Sequence, residues 1–275
     1  MMKPKTGKPR GVLNLKAGEK RFHLSRHLPS QDLDFFVEHY WIVSWDLRGQ
    51  EPYVQETLPH PSVHLVFEKD NTRVFGVGKR KFSRLLEDKG QVLGIKFKPG
   101  AFYPFVKSPV SNFTDASISF CDVFGMDGNA LEDAIFSKEN ETEMREIGEN
   151  FLRERLPERD EMVTEINRIV DYVIAHPEIT RVDDVVNCLN LNKRTLQRLF
   201  HQYVGVSPKW VIQRYRLHEV AERLADNKAI DCAEIALELG YFDQAHFIKD
   251  FKAIVGWTPA EYAKRIAEES LSDSN

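Results

Sequence analysis

The spacing of apolar positions changes character along the chain, and the change divides it. Between Glu38 and Phe97 apolar residues come in short runs: Tyr40–Asp46, Val63–Phe67, Arg73–Val77 and Val92–Phe97. These runs are rich in aromatic and β-branched side chains. Turn formers such as Arg48-Gly49, Asp70-Asn71 and Lys89-Gly90 separate them, which predicts short strands in a small antiparallel, barrel-like sheet. Pro99-Gly100 breaks the pattern and opens a short helix. From Asp122 the apolar residues recur at helical spacing instead. Leu131, Ala134 and Ile135 make one stripe, and Met144, Ile147, Phe151 and Leu152 another, on an acidic background. Such a pair either covers the sheet or joins two copies of the chain. Leu156-Pro157 then stops a helix before Asp160 caps the next.

The expected architecture is α+β. A flexible basic arm spans 1–20, a β-rich regulatory domain 21–120, a helical segment 121–157, an all-α domain 160–267 and a tail 268–275.

Within the helical part, the stretch from Asn192 to Pro208 returns fifty-one positions later as Asp243 to Pro259. Leu196 answers to Phe247, Arg198 to Lys249, Phe200 to Phe251, Gly205 to Gly256 and Ser207 to Thr258. In each copy an Asn or Asp accepts from the free amides of a first turn, and apolar residues four apart give the helix one buried face. A Gly stops it, and Ser-Pro or Thr-Pro opens the next helix. A short apolar helix and a turn precede both copies: Val182 to Leu189 with Asn190-Leu191, and Ile235 to Leu239 with Gly240-Tyr241-Phe242. The pattern predicts two tandem helix-turn-helix units, at about 182–204 and 232–255, joined by a helix over 208–225.

Charge adds a partner. No Asp or Glu occurs from Asn192 to His218, while Lys193, Arg194, Arg198, Lys209, Arg214 and Arg216 are basic. A one-sign stretch suits a polyanion. Lys193, Arg194, Gln197 and Arg198 lie opposite the apolar stripe of the first unit, and the matching face of the second offers Gln244, Ala245, Ile248 and Lys249, with His246 beside it for a phosphate or a neighbouring helix. Arg and Gln are the side chains that read guanine and adenine edges in pairs of hydrogen bonds. Arg214 and Arg216 are expected on the surface of the joining helix or against backbone phosphate.

The string Gly240-Tyr-Phe-Asp-Gln-Ala-His-Phe-Ile-Lys-Asp-Phe-Lys252, followed by Gly256-Trp-Thr-Pro-Ala-Glu-Tyr262, closely resembles the signature of AraC/XylS-type transcriptional regulators. The resemblance runs from about Ile166 to Arg265. Asn190 stands where that family often has Gly, and Asn tolerates the left-handed turn. The resemblance implies sequence-specific binding of promoter DNA, activation more than repression, and RNA polymerase as a partner. Residues 58–67 and 94–101 look like the N-terminal domain of one branch of these regulators, whose ligand is unassigned. A small-molecule effector and a homodimer are further implied partners.

Composition narrows the alternatives. The hydrophobic content of 42% is that of a soluble globular protein, and no run approaches a membrane span. The basic N-terminus lacks the apolar segment of a secretory signal. Three widely spaced cysteines, Cys121, Cys188 and Cys232, form no metal or disulfide pattern, which suits a reducing cytoplasm. His60 and His64 lie in a turn leading into a strand, where no helix face brings them together on a metal. Tyr40, Trp41, Trp45, Tyr53, Phe67, Phe97, Phe102 and Tyr103 either line an effector pocket or fill a core. No nucleophile–base pair, paired carboxylates or phosphate loop appears. The expectation is therefore no enzyme, no cofactor and no metal. The alternative is a ligand-binding or metal-dependent barrel enzyme with a helical DNA-binding appendage.

Overall fold

The structure, a computed structural model, describes residue 18 and residues 20–226 and 231–272. The basic arm expected over 1–20 therefore lies, except for Gly18 and Lys20, outside the described residues, as do the last three residues of the tail. Six strands form an open antiparallel sheet. In spatial order they are β1 (His23–His27), β2 (Val37–Asp46), β7 (Lys89–Phe97), β4 (His64–Glu68), β5 (Arg73–Phe75) and β8 (Ser117–Ser119). β3 (Tyr53–Thr57) and β6 (Phe82–Leu86) pair as a separate two-stranded ribbon.

Alternation along the central strands builds two cores. From β2, Tyr40 and Ile42 join Leu65, Phe67, Leu93, Ile95 and Phe97 on one face. Trp45 joins Val66, Val92 and Leu86 on the other, beneath the ribbon. The register places Trp41 opposite Gly94 and Trp45 opposite Gly90. A Cβ at Gly94 would lie 1.9 Å from the Trp41 indole, and one at Gly90 2.2 Å from that of Trp45. Glycine lets each indole lie flat across the neighbouring strand. Of the aromatics named above, Tyr40, Phe67, Phe97 and Phe102 are fully buried in the main core. Phe97 packs on Phe102, and Phe67 on Phe120 and Phe151, so these rings fill the core.

After the sheet come α1 (Tyr103–Val106), a 3-10 turn (Val110–Phe113), α2 (Phe120–Phe124), α3 (Asn129–Phe136) and α4 (Glu141–Arg153). Ile135 of α3 and Met144, Phe151 and Leu152 of α4 are buried in the main core, so the acidic pair covers the sheet with its apolar stripe. Buried Glu132 accepts from the amides of Asp70 and Thr72, at 2.9 and 3.2 Å, and ties α3 to the β4–β5 turn.

The rest is helical: α5 (Glu161–Ala175), α6 (Val182–Leu189), α7 (Lys193–Leu199), α8 (Pro208–Ala225), α9 (Cys232–Glu238), α10 (Gln244–Val255) and α11 (Pro259–Ser272). The Leu156-Pro157 break lies in an irregular segment between α4 and α5. Packing does not break there. The main core continues through Ile166, Ile169, Val170 and Val173 of α5, Val185 of α6 and Leu196 of α7 to Val211 and Ile212 of α8. A smaller core under α9, α10 and α11 takes in Leu58 from the sheet domain.

Candidate nucleic-acid interface

Each helix-turn-helix unit is set by the same local chemistry. Asn192 Oδ1 accepts from the Thr195 amide at 3.1 Å, and Asp243 Oδ1 accepts from the His246 amide at 2.8 Å. The turn before α7 puts Asn190 at φ 51°, and the turn before α10 puts Gly240 at φ 69°. Gly205 and Gly256 end the two recognition helices at φ 90° and 89°. Ser207 and Thr258 then cap α8 and α11.

Lys193, Arg194, Gln197 and Arg198 are all exposed on α7, opposite buried Leu196. Gln244, His246 and Lys249 are exposed on α10, opposite buried Phe247 and Phe251. Arg194, Gln197, Arg198, Gln244 and Lys249 make no side-chain hydrogen bond or ion pair with the described residues. Lys193 is bound to Asp183 of α6 at 2.6 Å. His246 leans on Asp250, one turn along its own helix, with nitrogen and oxygen 3.7 Å apart. Between the two units lies a cleft of about 470 Å³, lined by Ser207, Lys209, Trp210 and Gln213 on one side and His246 and Asp250 on the other. Lys79 of the sheet domain reaches its rim.

Two basic residues are not where the sequence reading put them. Arg214 and Arg216 are 1% and 2% exposed, so neither offers its charge to phosphate. Arg214 falls on the buried stripe of α8 with Val211, Leu217 and Ala221. Its Nε donates to the Pro59 carbonyl at 2.6 Å, and a guanidinium nitrogen lies 3.1 Å from His60 Nδ1. Arg216 donates to the Val173 carbonyl and pairs with Glu219 at 2.7 Å. The spacing 211, 214, 217, 221 is a signal that charge counting alone overlooks. The acid-free stretch is thus partly an interior feature.

The sheet side of that junction is also built from ionisable groups. Lys96 pairs with Glu38 at 2.9 Å and approaches His60 at 3.5 Å, while the Trp41 indole donates to His64 Nδ1 at 3.2 Å. Burial, reinforced by Lys96 and Arg214, holds His60 well below the ordinary imidazole range. Burial and then Lys96 push His64 down to about 3. Both rings serve the junction in neutral form. Among the described residues no group of three or more His, Cys, Asp or Glu side chains could hold a metal ion.

The sheet domain touches each unit differently. At the first, the end of the recognition helix widens into a π turn, Phe200–Val204, whose carbonyl at Phe200 accepts from the Gly205 amide at 2.8 Å. This turn rests on the sheet domain: Thr114 donates to the Gly205 carbonyl at 2.7 Å, and Gln202 donates to the Tyr103 hydroxyl at 2.7 Å. The Tyr103 and Tyr203 rings lie 4.1 Å apart, and Tyr203 donates to Asp160 at 2.7 Å. At the second unit the contact is ionic. Buried Glu56 accepts from Lys81 and, at 3.0 Å, from Arg265 of α11. Both cations lie over the Trp257 ring, at 4.8 and 4.9 Å.

Two capped recognition helices joined by one long helix define a DNA-binding protein of the tandem helix-turn-helix class. Residues 185–265 match the family described as a helix-turn-helix domain, and residues 25–119 match a domain of unknown function (DUF6597). The C-terminal region is an AraC-type DNA-binding domain, joined to an N-terminal sheet domain whose function the family leaves open. An uncharacterised helix-turn-helix transcriptional regulator of Haemophilus influenzae is 30% identical over 86 residues, 31% of this chain and 28% of that protein. The transcriptional activator AarP of Providencia stuartii is 32% identical over 92 residues, 34% of this chain and 66% of that protein. Among solved structures, the C-terminal domain of AraT, a response regulator from Geobacillus stearothermophilus, is 26% identical. It covers 36% of this chain and 84% of that one, with a TM-score of 0.33. The chain spans about a third of the length of the first curated relatives it matches. Among the described residues no helix is long and apolar enough to cross a membrane.

Proposed function

We propose that the chain is a sequence-specific transcriptional regulator whose two units read successive major-groove segments on one side of promoter DNA. The observation that carries this reading is the exposed face of α7, with Arg194, Gln197 and Arg198 unpaired among the described residues, repeated in position on α10. The eighteen residues of α8 are about 27 Å long at 1.5 Å per residue. With the turns at its ends, such a helix suits recognition helices about one duplex turn, ~34 Å, apart. The first unit sets most of the base preference. The second, with Ala245 and Ile248 where the first has Arg194 and Gln197, mainly holds register through phosphate and apolar contact.

Activation is favoured over repression, supported by the relative named as an activator, and RNA polymerase is the corresponding protein partner. The sheet domain is the regulatory part, the place for a small-molecule effector, supported by its contacts to both units and to the helix between them. Homodimerisation falls to surfaces other than the apolar stripe of α3 and α4, which the sheet already occupies. The site of action is the cytoplasm, where promoter DNA lies.

Selection of the full chain against a randomised duplex library, followed by binding at several salt concentrations, tests this reading. On α7, α8 and α10, Arg194, Arg198, Lys209 and Lys249 are exposed cations with no ion pair among the described residues. The logarithmic salt slope should therefore be about −3 to −4, at roughly −0.9 for each phosphate neutralised. A flat dependence, or no selected sequence, refutes it.

A further inference from the structure

Phe242 is 96% exposed, and among the described residues no large apolar side chain is more so. It stands immediately before Asp243, the cap of the second recognition helix. In many helices the residue before the cap packs on the fourth helical residue and fixes how the chain enters the helix. The first unit is consistent with that rule: Leu191, half-buried, and Leu196, fully buried, belong to the same main core. The second unit departs from it. Phe247, the fourth residue of α10, is fully buried, but the ring that packs on it is Tyr241, with centroids 5.8 Å apart. Tyr241 takes over the entry contact, and Phe242 is turned outward.

The position of that ring is informative. A recognition helix meets base edges with its N-terminal residues, so a side chain just ahead of α10 stands at the groove. Its nearest exposed neighbours in sequence on the helix are Gln244 and Ala245. An aromatic ring finds one apolar target in the major groove, the 5-methyl group of thymine. We infer that the Phe242 ring packs on a thymine methyl in the second DNA segment and is the main base-reading side chain of the second unit. The inference rests on the DNA-reading function proposed above.

The duplex selected by the full-length protein supplies the test. Each thymine of the second segment is replaced in turn by deoxyuridine, which removes the methyl and keeps every hydrogen bond. One replacement should weaken the unmodified protein about fourfold, the worth of one buried methyl. Phe242→Ala should bind the thymine duplex roughly tenfold more weakly, in line with loss of a good base contact, and should be indifferent to that replacement. Phe242→Leu should retain part of the sensitivity. Unchanged preference for the first segment and an unchanged helical circular dichroism signal establish that the variants are folded. A Phe242→Ala protein with the affinity or the deoxyuridine profile of the parent overturns the inference. So does one that binds DNA like the parent but no longer activates transcription, since the ring, with Leu237 at 79% exposure nearby in sequence, would then face a protein. If the parent selects no sequence at all, the DNA-reading proposal itself has failed. A selected duplex without methyl sensitivity removes only the role of Phe242.

Discussion

The two helix-turn-helix units share caps, stops and spacing, yet they are held and equipped differently. The first is built into the sheet domain. Its core is continuous with the sheet, and its π turn rests on Tyr103, Thr114 and the 110–113 turn. The second has a core of its own, with a single sheet-domain residue in it, Leu58, and an ionic contact through Glu56. The firmly seated unit carries the arginine and glutamine face, and the other carries Ala245, Ile248 and Lys249. A repeated stretch of sequence therefore repeats a backbone without repeating a role. On the proposed reading this is expected: hydrogen-bonded base contacts demand fixed donors, and the exposed arginines and glutamine stand on the unit that the rest of the molecule braces.

Substitution at the two helix stops breaks this comparison most sharply. Alanine at either glycine incurs left-handed strain of about 1–2 kcal/mol. At Gly205 the added Cβ also meets Thr114 Oγ1 at 2.9 Å and the Val110 backbone at 3.2 Å. At Gly256 it meets the end of the Lys81 side chain at 2.6 Å, a flexible chain that can shift at the expense of its own contact while Arg265 keeps Glu56 paired. Gly205→Ala should cost about 3 kcal/mol in urea denaturation and Gly256→Ala about half of that. Equal costs would mean that the sheet domain does not brace the first unit.

A smaller effect separates the reading faces. Arg194→Ala or Gln197→Ala should lose roughly 1–3 kcal/mol on the preferred duplex and relax base preference in the first segment. Lys249→Ala should weaken all duplexes evenly and reduce the salt slope by about one unit. Scrambled preference from Lys249→Ala, with Arg194→Ala silent, would exchange the roles.

The mildest test is acid. His60 and His64 have folded pKa values below the ordinary 6.5, His64 at about 3. Between those limits the unfolded chain binds more protons than the folded one, so stability is full above pH 6.5 and falls as pH drops toward 3. The slope should reach up to about 1.4 kcal/mol per pH unit for each ring. Around the two rings stand Lys96, Glu38 and His39 from the sheet, and Arg214 and His218 from α8, so acid should loosen this junction. Thermal melts of the parent and of His64→Gln from pH 7 to pH 5 measure it. Identical pH profiles would remove His64 from the account.

The local part of this design was legible in the sequence. Caps, stops and an apolar stripe are decided by residues within one or two turns of each other, and Asn192, Gly205, Asp243 and Gly256 announce themselves. The strands at β2, β4, β5 and β7 were legible for a similar reason, because their apolar runs are bounded by turn formers. β1, β3, β6 and β8 were not. His23–His27 and Tyr53–Thr57 are largely polar, and they are strands only because a partner far along the chain offers its backbone. The same non-locality hid Arg214, whose partners Pro59 and His60 lie more than 150 residues away. No nearby residue marks the π turn either, since Phe251–Val255 has the same spacing and stays α-helical.

Leu58 bears on how such regulators can be recombined. A modular protein can be cut at its linker and its parts grafted elsewhere, and 157–160 is the obvious place for the scissors. Here that cut would leave a hole the size of one leucine under α10 and α11, strip Arg214 of Pro59 and His60, and lay open the apolar flank of α5. A chimera that keeps this DNA-binding half must bring 56–60 and 110–114 along, or replace them with a surface of the same shape.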